Sequence, residues 1–75
     1  MTTSHEVRAE MVANVLRVEV ALGAAVQPGE TLLLLESMKM EIPVLAEATG
    51  TVTAIRVVPG TLVQEGDVLV IVESR

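Results

Sequence analysis

The chain has 75 residues, enough for one small domain, and its composition limits how that domain is stabilised. It has no cysteine, which excludes disulfides and zinc–thiolate sites, and no Phe, Tyr or Trp, so its core must be aliphatic. A formal net charge of −5 without aromatic rings argues against nucleic-acid binding. No stretch approaches the ~20 apolar residues of a membrane helix, and the N-terminus lacks the features of a signal peptide. We therefore expect a cytoplasmic protein that is monomeric on its own and binds neither nucleic acid nor membrane.

The first half of the chain begins without a hydrophobic pattern. We expect residues 1–8 to form a flexible N-terminal tail ahead of a single domain over residues 9–75. A continuous apolar run at residues 32–35 has the length of a strand in a sandwich core. In residues 16–22, apolar side chains alternate at a period of two, which is typical of a half-buried strand, with Arg17, Glu19 and Ala21.

The second half of the chain repeats that organisation. When residues 14–38 are shifted by 37 positions they align with residues 51–75, and nine of the 25 pairs are identical. Residues 51–58 form a valine-rich stretch and residues 68–72 a second apolar run. Two strand-rich halves, neither able to bury its apolar face alone, predict an all-β fold with pseudo-two-fold symmetry. We expect a flattened barrel or sandwich of two small antiparallel sheets.

Glycines punctuate both halves at equivalent positions. Pro28-Gly29 and Pro59-Gly60 place proline and then glycine at the two central positions expected of a type II turn. The aligned positions in the other half keep the glycine and lose the proline, namely Gly66 and Gly23. The turn conformation, with its need for glycine, is therefore the feature that we expect the halves to share.

Lys39 is the only lysine in the chain, and the other basic residues are arginines, which are poor nucleophiles. Chemistry that acylates a side-chain amine therefore has one target. The repeat places Lys39 at the connection between the halves, at the end of the molecule away from the termini. Its neighbours include none of the Gly, Asn or Asp residues that favour a tight hairpin, so a Met38-Lys39 turn would be strained by about 1–3 kcal/mol per residue. Such local conflicts are typical of functional sites, whereas a longer relaxed loop with an ordinary surface lysine is the alternative.

The five residues around this lysine resemble the attachment motif of biotinyl domains, the family of biotin carboxyl carrier proteins. That motif is usually written E-A-M-K-M with Ser tolerated at the second position, and here it is Glu36-Ser37-Met38-Lys39-Met40. The resemblance covers about residues 9–74 and includes the glycine frame. Residues 9–13 depart from the Ala-Pro-Met-Pro-Gly that the family often has in its first strand, and the thumb insertion of some bacterial carriers is missing. The chain therefore resembles the compact, thumbless type.

The resemblance implies that a biotin protein ligase attaches biotin covalently to Lys39. Met38 and Met40 would be the flanking recognition residues, with Glu36 and Ser37 completing the motif. Biotin on Lys39 would then carry carboxyl groups between the biotin carboxylase and carboxyltransferase sites of a biotin-dependent carboxylase of the acyl-CoA type. The chain itself would be a carrier module and not an enzyme.

Three other functions are weighed against this one. A lipoyl carrier domain has a similar fold, but its lysine usually lies between Asp and Ala, which this chain lacks. A free-standing biotinylated protein without a committed carboxylase, and a purely structural β-sandwich without any modification, both remain open. A hydrolytic enzyme is disfavoured, because one histidine, one aspartate and no cysteine provide neither a catalytic triad nor a metal cluster.

Overall fold

The computed structural model describes residues 3–74, which form eight β-strands and no helix. Two four-stranded antiparallel sheets have the strand orders β1-β8-β6-β3 and β5-β4-β2-β7, which confirms the predicted all-β sandwich. Because this part of the chain contains no helix, it contains none that is able to cross a membrane. The strands are β1 (Thr3–Arg8), β2 (Ala13–Val18), β3 (Ala25–Val26), β4 (Thr31–Ser37), β5 (Met40–Leu45), β6 (Gly50–Ile55), β7 (Leu62–Val63) and β8 (Val68–Ser74).

A pseudo-two-fold relation organises the whole described chain. A shift of 37 positions carries β1, β2, β3 and β4 onto β5, β6, β7 and β8, and it converts one sheet order into the other. The hydrogen bonds obey the same relation: the Gly23 amide donates to the Val52 carbonyl, and the Gly60 amide to the Val15 carbonyl, each at 2.8 Å. The repeat read from the sequence therefore extends to residues 3–37 and 40–74. Only two residues join the halves.

The core is aliphatic and lies between the two sheets. No polar or charged residue is buried in the described chain. The most buried side chains fall at equivalent positions of the two halves, as with Leu32 and Leu69 or Val26 and Val63. Four of the six strand pairs join one half to the other, namely β1–β8, β2–β7, β3–β6 and β4–β5. Neither half thus completes a sheet or a core by itself.

The predicted glycine turns are confirmed. In the turn centred on Pro28-Gly29, the Glu30 amide donates to the Gln27 carbonyl at 3.1 Å, and Gly29 has a φ of 91°. That positive φ at the second central position is the mark of a type II turn and explains the glycine. The other three turns repeat the same hydrogen bond and a positive φ at their glycine.

The N-terminal segment differs from the expected flexible tail. Residues 3–8 form β1, which pairs with β8 over its whole length, whereas Met1 and Thr2 lie outside the described residues. Only Val7 of this strand is even half-buried, so the sequence contains no apolar alternation that would have indicated it. β1 is held in place by its main-chain pairing with β8, just as β5 is held by its pairing with β4. Residues 9–12 are a connection, so the family's first strand is not found where the motif comparison placed it.

The predicted alternation is confirmed over residues 16–20, where half-buried apolar side chains alternate with the exposed Arg17 and Glu19, and a β-bulge sets its phase. The register of β2 against β4 shifts between Val15 and Arg17, and the equivalent shift occurs in β6. Because a bulge inserts one residue, the inward face changes from Ala13 and Val15, which are buried, to residues that are only half-buried. Leu22, predicted to face inward, is 68% exposed in a turn after the strand has ended.

Candidate functional site

The turn between β4 and β5 consists of Met38 and Lys39 alone. Ser37 and Met40 are directly paired on either side of it, so the chain reverses direction within two residues. Met38 has a φ of 52° and Lys39 a φ of 69°, and among residues 3–74 they are the only non-glycine residues with positive φ. Positive φ at both central positions is characteristic of a type I′ hairpin turn, whose twist matches that of the flanking strands. The prediction of a tight, unfavourable turn is confirmed, and the relaxed loop is wrong.

The strands on either side of this turn hold it in its strained conformation. Each L-residue in the left-handed region costs about 1–2 kcal/mol relative to its preferred conformations. The strands compensate for this, because β4 and β5 stay in register from the turn inward: Glu36 pairs with Glu41, and Leu35 with Ile42. Leu35 is buried and anchors the hairpin in the core. The lysine is therefore held on a defined reverse turn.

The side chains at the turn point into solvent. Met38 is 89% exposed and Met40 is 61% exposed, which is unusual for large apolar side chains. Lys39 is also exposed, and within the described chain its amine forms no hydrogen bond or ion pair. The amine is free to approach another molecule, and two apolar side chains lie next to it.

A row of exposed residues crosses the sheet immediately behind the turn. Direct pairing places Glu41 opposite Glu36, Glu36 opposite Asn14, and Asn14 opposite Leu62. The two glutamates lack an ion-pair partner among residues 3–74. At the pseudo-symmetric position, Ser4 faces Glu73, so the fold itself does not require two adjacent carboxylates. The acidic pair is a feature of the lysine end only.

The structure brings together all five residues of the predicted motif, with Glu36 and Ser37 closing β4 and Met40 opening β5. Sequence reasoning missed Asn14 and Leu62. Their place beside the motif depends on the strand order β5-β4-β2-β7, which no local pattern encodes.

The site is a convex tip and not a pocket. The described residues contain no cluster of side chains able to hold a metal ion. A shallow groove of about 420 Å³ runs between the edge strands β1 and β5, but none of residues 36–41 lines it. This groove therefore does not enclose a group attached to the lysine. An exposed amine on a rigid turn is suited to covalent attachment of a group whose chemistry takes place in another protein.

Comparison with known proteins indicates which group would be attached to the lysine. The family model described as "Biotin-requiring enzyme" matches residues 5–72. The biotinylated protein TB7.3 homolog of Mycolicibacterium smegmatis is 63% identical over 43 residues, and that of Mycobacterium leprae is 60% identical. Each alignment covers 57% of this chain and 61% of the relative, which is less than two thirds of the relative's length.

Solved structures share the fold closely. A single-chain, multi-domain long-chain acyl-CoA carboxylase matches with a TM-score of 0.88 and 30% identity, covering 96% of this chain. The urea carboxylase of Kluyveromyces lactis also has a TM-score of 0.88, with 26% identity over 93% of this chain. The chain spans only 7% and 6% of these two large proteins, so the similarity concerns one small unit within each.

Proposed function

This chain belongs to the biotin/lipoyl family of biotin-requiring enzymes, and we propose that its function is to carry biotin on the side-chain amine of Lys39. Covalently attached biotin is the cofactor, as it is in the biotinylated relatives. The observation that carries the assignment to Lys39 is its position. The only lysine of the sequence occupies a two-residue turn in the left-handed region, exposed and free of ion pairs within the described chain.

The attachment chemistry requires little of the chain beyond presentation. Nζ of Lys39, as a neutral amine, forms an amide with an activated carboxyl group and loses a proton, while the activating group leaves. Because no acid or base among residues 3–74 forms a hydrogen bond or ion pair with Nζ, the enzyme that attaches biotin must supply proton transfer. A biotin protein ligase is the partner that fits this requirement.

The residues around Lys39 are suited to contact with that ligase. Met38 and Met40 offer adaptable apolar surface on both sides of the amine, which suits docking to more than one partner. Glu36 and Glu41 add two adjacent carboxylates that the fold does not require, and they would steer a basic surface toward the turn. Ser37 pairs with Met40 directly before the turn, and this pair fixes the position of the Lys39 main chain.

Once attached, biotin supplies a site that can carry a carboxyl group, and the protein supplies the tether. A rigid turn with a flexible lysine side chain holds that site at high effective concentration near any active site to which the domain binds. The carboxylases that share the fold support a role between a biotin carboxylase and a carboxyltransferase. We propose a carboxylase of the acyl-CoA type, in which this chain is the non-catalytic carrier.

A second candidate is a free-standing biotinylated protein without a committed carboxylase. It is favoured by the relatives, whose names record biotinylation and no carboxylase. Both candidates require Lys39 to be biotinylated, and they differ only in what binds afterwards. Pull-down of the biotinylated chain with purified carboxylase subunits separates them.

The test of attachment is coexpression with a biotin protein ligase, followed by intact-mass measurement and avidin blotting. We expect one added biotinyl group on the natural chain and none on Lys39→Arg, which keeps the charge but not the nucleophile. A matched variant, Met38→Lys combined with Lys39→Met, keeps the composition and moves the amine by one position on the turn. Its labelling should fall strongly. An unmodified natural chain, or addition of a lipoyl group, contradicts the proposal.

A further inference from the structure

The two halves of the molecule are built to bind each other. Residues 3–37 and residues 40–74 are linked by four strand pairs, and each half retains only one pair of its own, β2–β4 or β6–β8. The main-chain hydrogen bonds between the halves are reciprocal, as with Val15 donating to Thr61 at 2.8 Å and Val52 donating to Ala24 at 2.9 Å. A half therefore needs a complementary half, but nothing in these contacts requires that it come from the same chain.

The covalent connection between the halves is short and strained. It consists of Met38 and Lys39, both with positive φ, and no other segment holds the first half to the second within one chain. Short hinge loops under strain favour exchange of structural elements between identical chains. Extending the turn would return both residues to ordinary strand conformations, while every other contact could be rebuilt with a second copy.

We propose that this chain exchanges halves with a second copy of itself. In the exchanged dimer, β4, the two turn residues and β5 form one continuous strand over residues 31–45. Residues 3–37 of one copy then pack against residues 40–74 of the other, and two complete sandwiches result. All six strand pairs and the aliphatic core are kept in each sandwich. The balance between monomer and dimer is set by protein concentration and by the conformational preference of the two turn residues.

Exchange changes the surroundings of Lys39. In the monomer the lysine projects from a reverse turn, whereas in the dimer it lies on an extended strand between two sandwiches. The presentation on which attachment depends is lost, so the monomer is the form that accepts biotin. This consequence rests on the proposed function, but the exchange itself does not.

The first experiment identifies which halves pair. The natural chain lacks cysteine, so Thr3→Cys with Ser74→Cys adds a single possible disulfide between directly opposed positions of β1 and β8. The protein is unfolded and refolded at about 1 mM, a concentration at which intermolecular association competes with folding. Monomer and dimer are separated by size exclusion with light scattering, oxidised, and run on a non-reducing denaturing gel.

We expect the monomer fraction to give a disulfide within one chain and the dimer fraction to give a covalent dimer that reduction returns to monomer. A dimer fraction that runs as single chains after oxidation shows ordinary surface association and overturns the proposal. The absence of any dimer after refolding overturns it as well.

Turn variants provide the second experiment. Met38→Asn with Lys39→Gly favours the type I′ turn, and we expect it to lower the dimer fraction at least tenfold. Deleting residues 38–39 prevents the reversal and should make the dimer the main species. Glu65→Asn alters a turn inside the second half and is the matched control, which should leave the dimer fraction unchanged. Equal dimer fractions for the natural chain and the Asn-Gly variant contradict the proposal, even if the deletion variant fails to fold.

Biotin labelling of the two fractions tests the consequence for Lys39. A ligase should label the monomer fraction of the natural chain faster than its dimer fraction. Equal labelling rates for the two fractions would contradict the claim that Lys39 is less accessible to the ligase in the dimer. No labelling of the monomer contradicts the proposed function alone, because the disulfide experiment does not depend on biotin.

Discussion

Replacing Met38 by glycine should stabilise the protein, although glycine usually weakens a fold. An L-residue in the left-handed region costs about 1–2 kcal/mol, and Met38 has a φ of 52°. Glycine avoids that cost but loses about 0.5–1 kcal/mol through the greater freedom of the unfolded chain. Little packing is lost, because the Met38 side chain is 89% exposed. The free energy of unfolding should therefore rise by about 0.5–1 kcal/mol.

The same substitution two residues later provides the control. Met40 is also an exposed methionine beside Lys39, but it lies in β5 and does not have a positive φ. Met40→Gly should lower the free energy of unfolding by about 0.5–1 kcal/mol. At this strand position the substitution relieves no strain, so only the entropic cost of glycine remains. The two variants are thus expected to move stability in opposite directions.

Thermal unfolding followed by far-UV circular dichroism measures both variants, since a chain without Trp or Tyr has no useful intrinsic fluorescence. For a domain of this size, the expected change corresponds to a rise in Tm of about 2–8 °C for Met38→Gly and a fall of similar size for Met40→Gly. Equal destabilisation by both substitutions would refute the claim that the turn stores strain.

Three further changes test other parts of the structure. Gly50→Ala should destabilise by about 1–3 kcal/mol in urea unfolding, because a Cβ there would overlap the main chain of β8. Glu41→Gln should raise the free energy of unfolding by about 0.2–0.5 kcal/mol at low salt, since it removes repulsion from the directly opposed Glu36. Dilute hydrogen peroxide should oxidise Met38, which is 89% exposed, before Met11, which is 38% exposed, as peptide mass spectrometry will show.

Each of these three tests has a control, or an outcome that would contradict it. Thr49→Ala removes an exposed side chain next to Gly50 and should be nearly neutral, so an equal loss in both variants contradicts the close-packing argument. Glu47→Gln removes one negative charge outside the strand pair. If it stabilises as much as Glu41→Gln, or if 1 M salt leaves the Glu41 effect unchanged, general charge and not the pair is responsible. Oxidation of Met11 before Met38 would contradict the greater exposure of the Met38 side chain at the turn.

The central features of the fold could be predicted because they are repeated. Two matching glycines and a glutamine in one frame reveal a duplicated unit, and Pro28-Gly29 specifies its own turn. The lysine site could be predicted for the opposite reason: Met38 and Lys39 have no local preference for the turn that the repeat imposes on them. A conflict between local and global requirements thus indicated the site.

Other features depend on contacts that no local pattern records. β1 is an edge strand whose side chains are mostly exposed, and its place is fixed by hydrogen bonds to β8 instead of by burial. The bulge after Val15 likewise becomes evident only in the register of β2 against β4. Asn14 and Leu62 join the site only through that strand order.

The most direct test of the central claim is a tryptic map of the chain after coexpression with a biotin protein ligase. Trypsin cleaves after unmodified lysine and arginine, so an unmodified Lys39 gives two peptides, residues 18–39 and 40–56. Biotin on Lys39 blocks that cleavage. We expect a single peptide of residues 18–56 that carries one biotinyl group. Complete cleavage after Lys39, or biotin found only on the N-terminal peptide, would contradict attachment at Lys39.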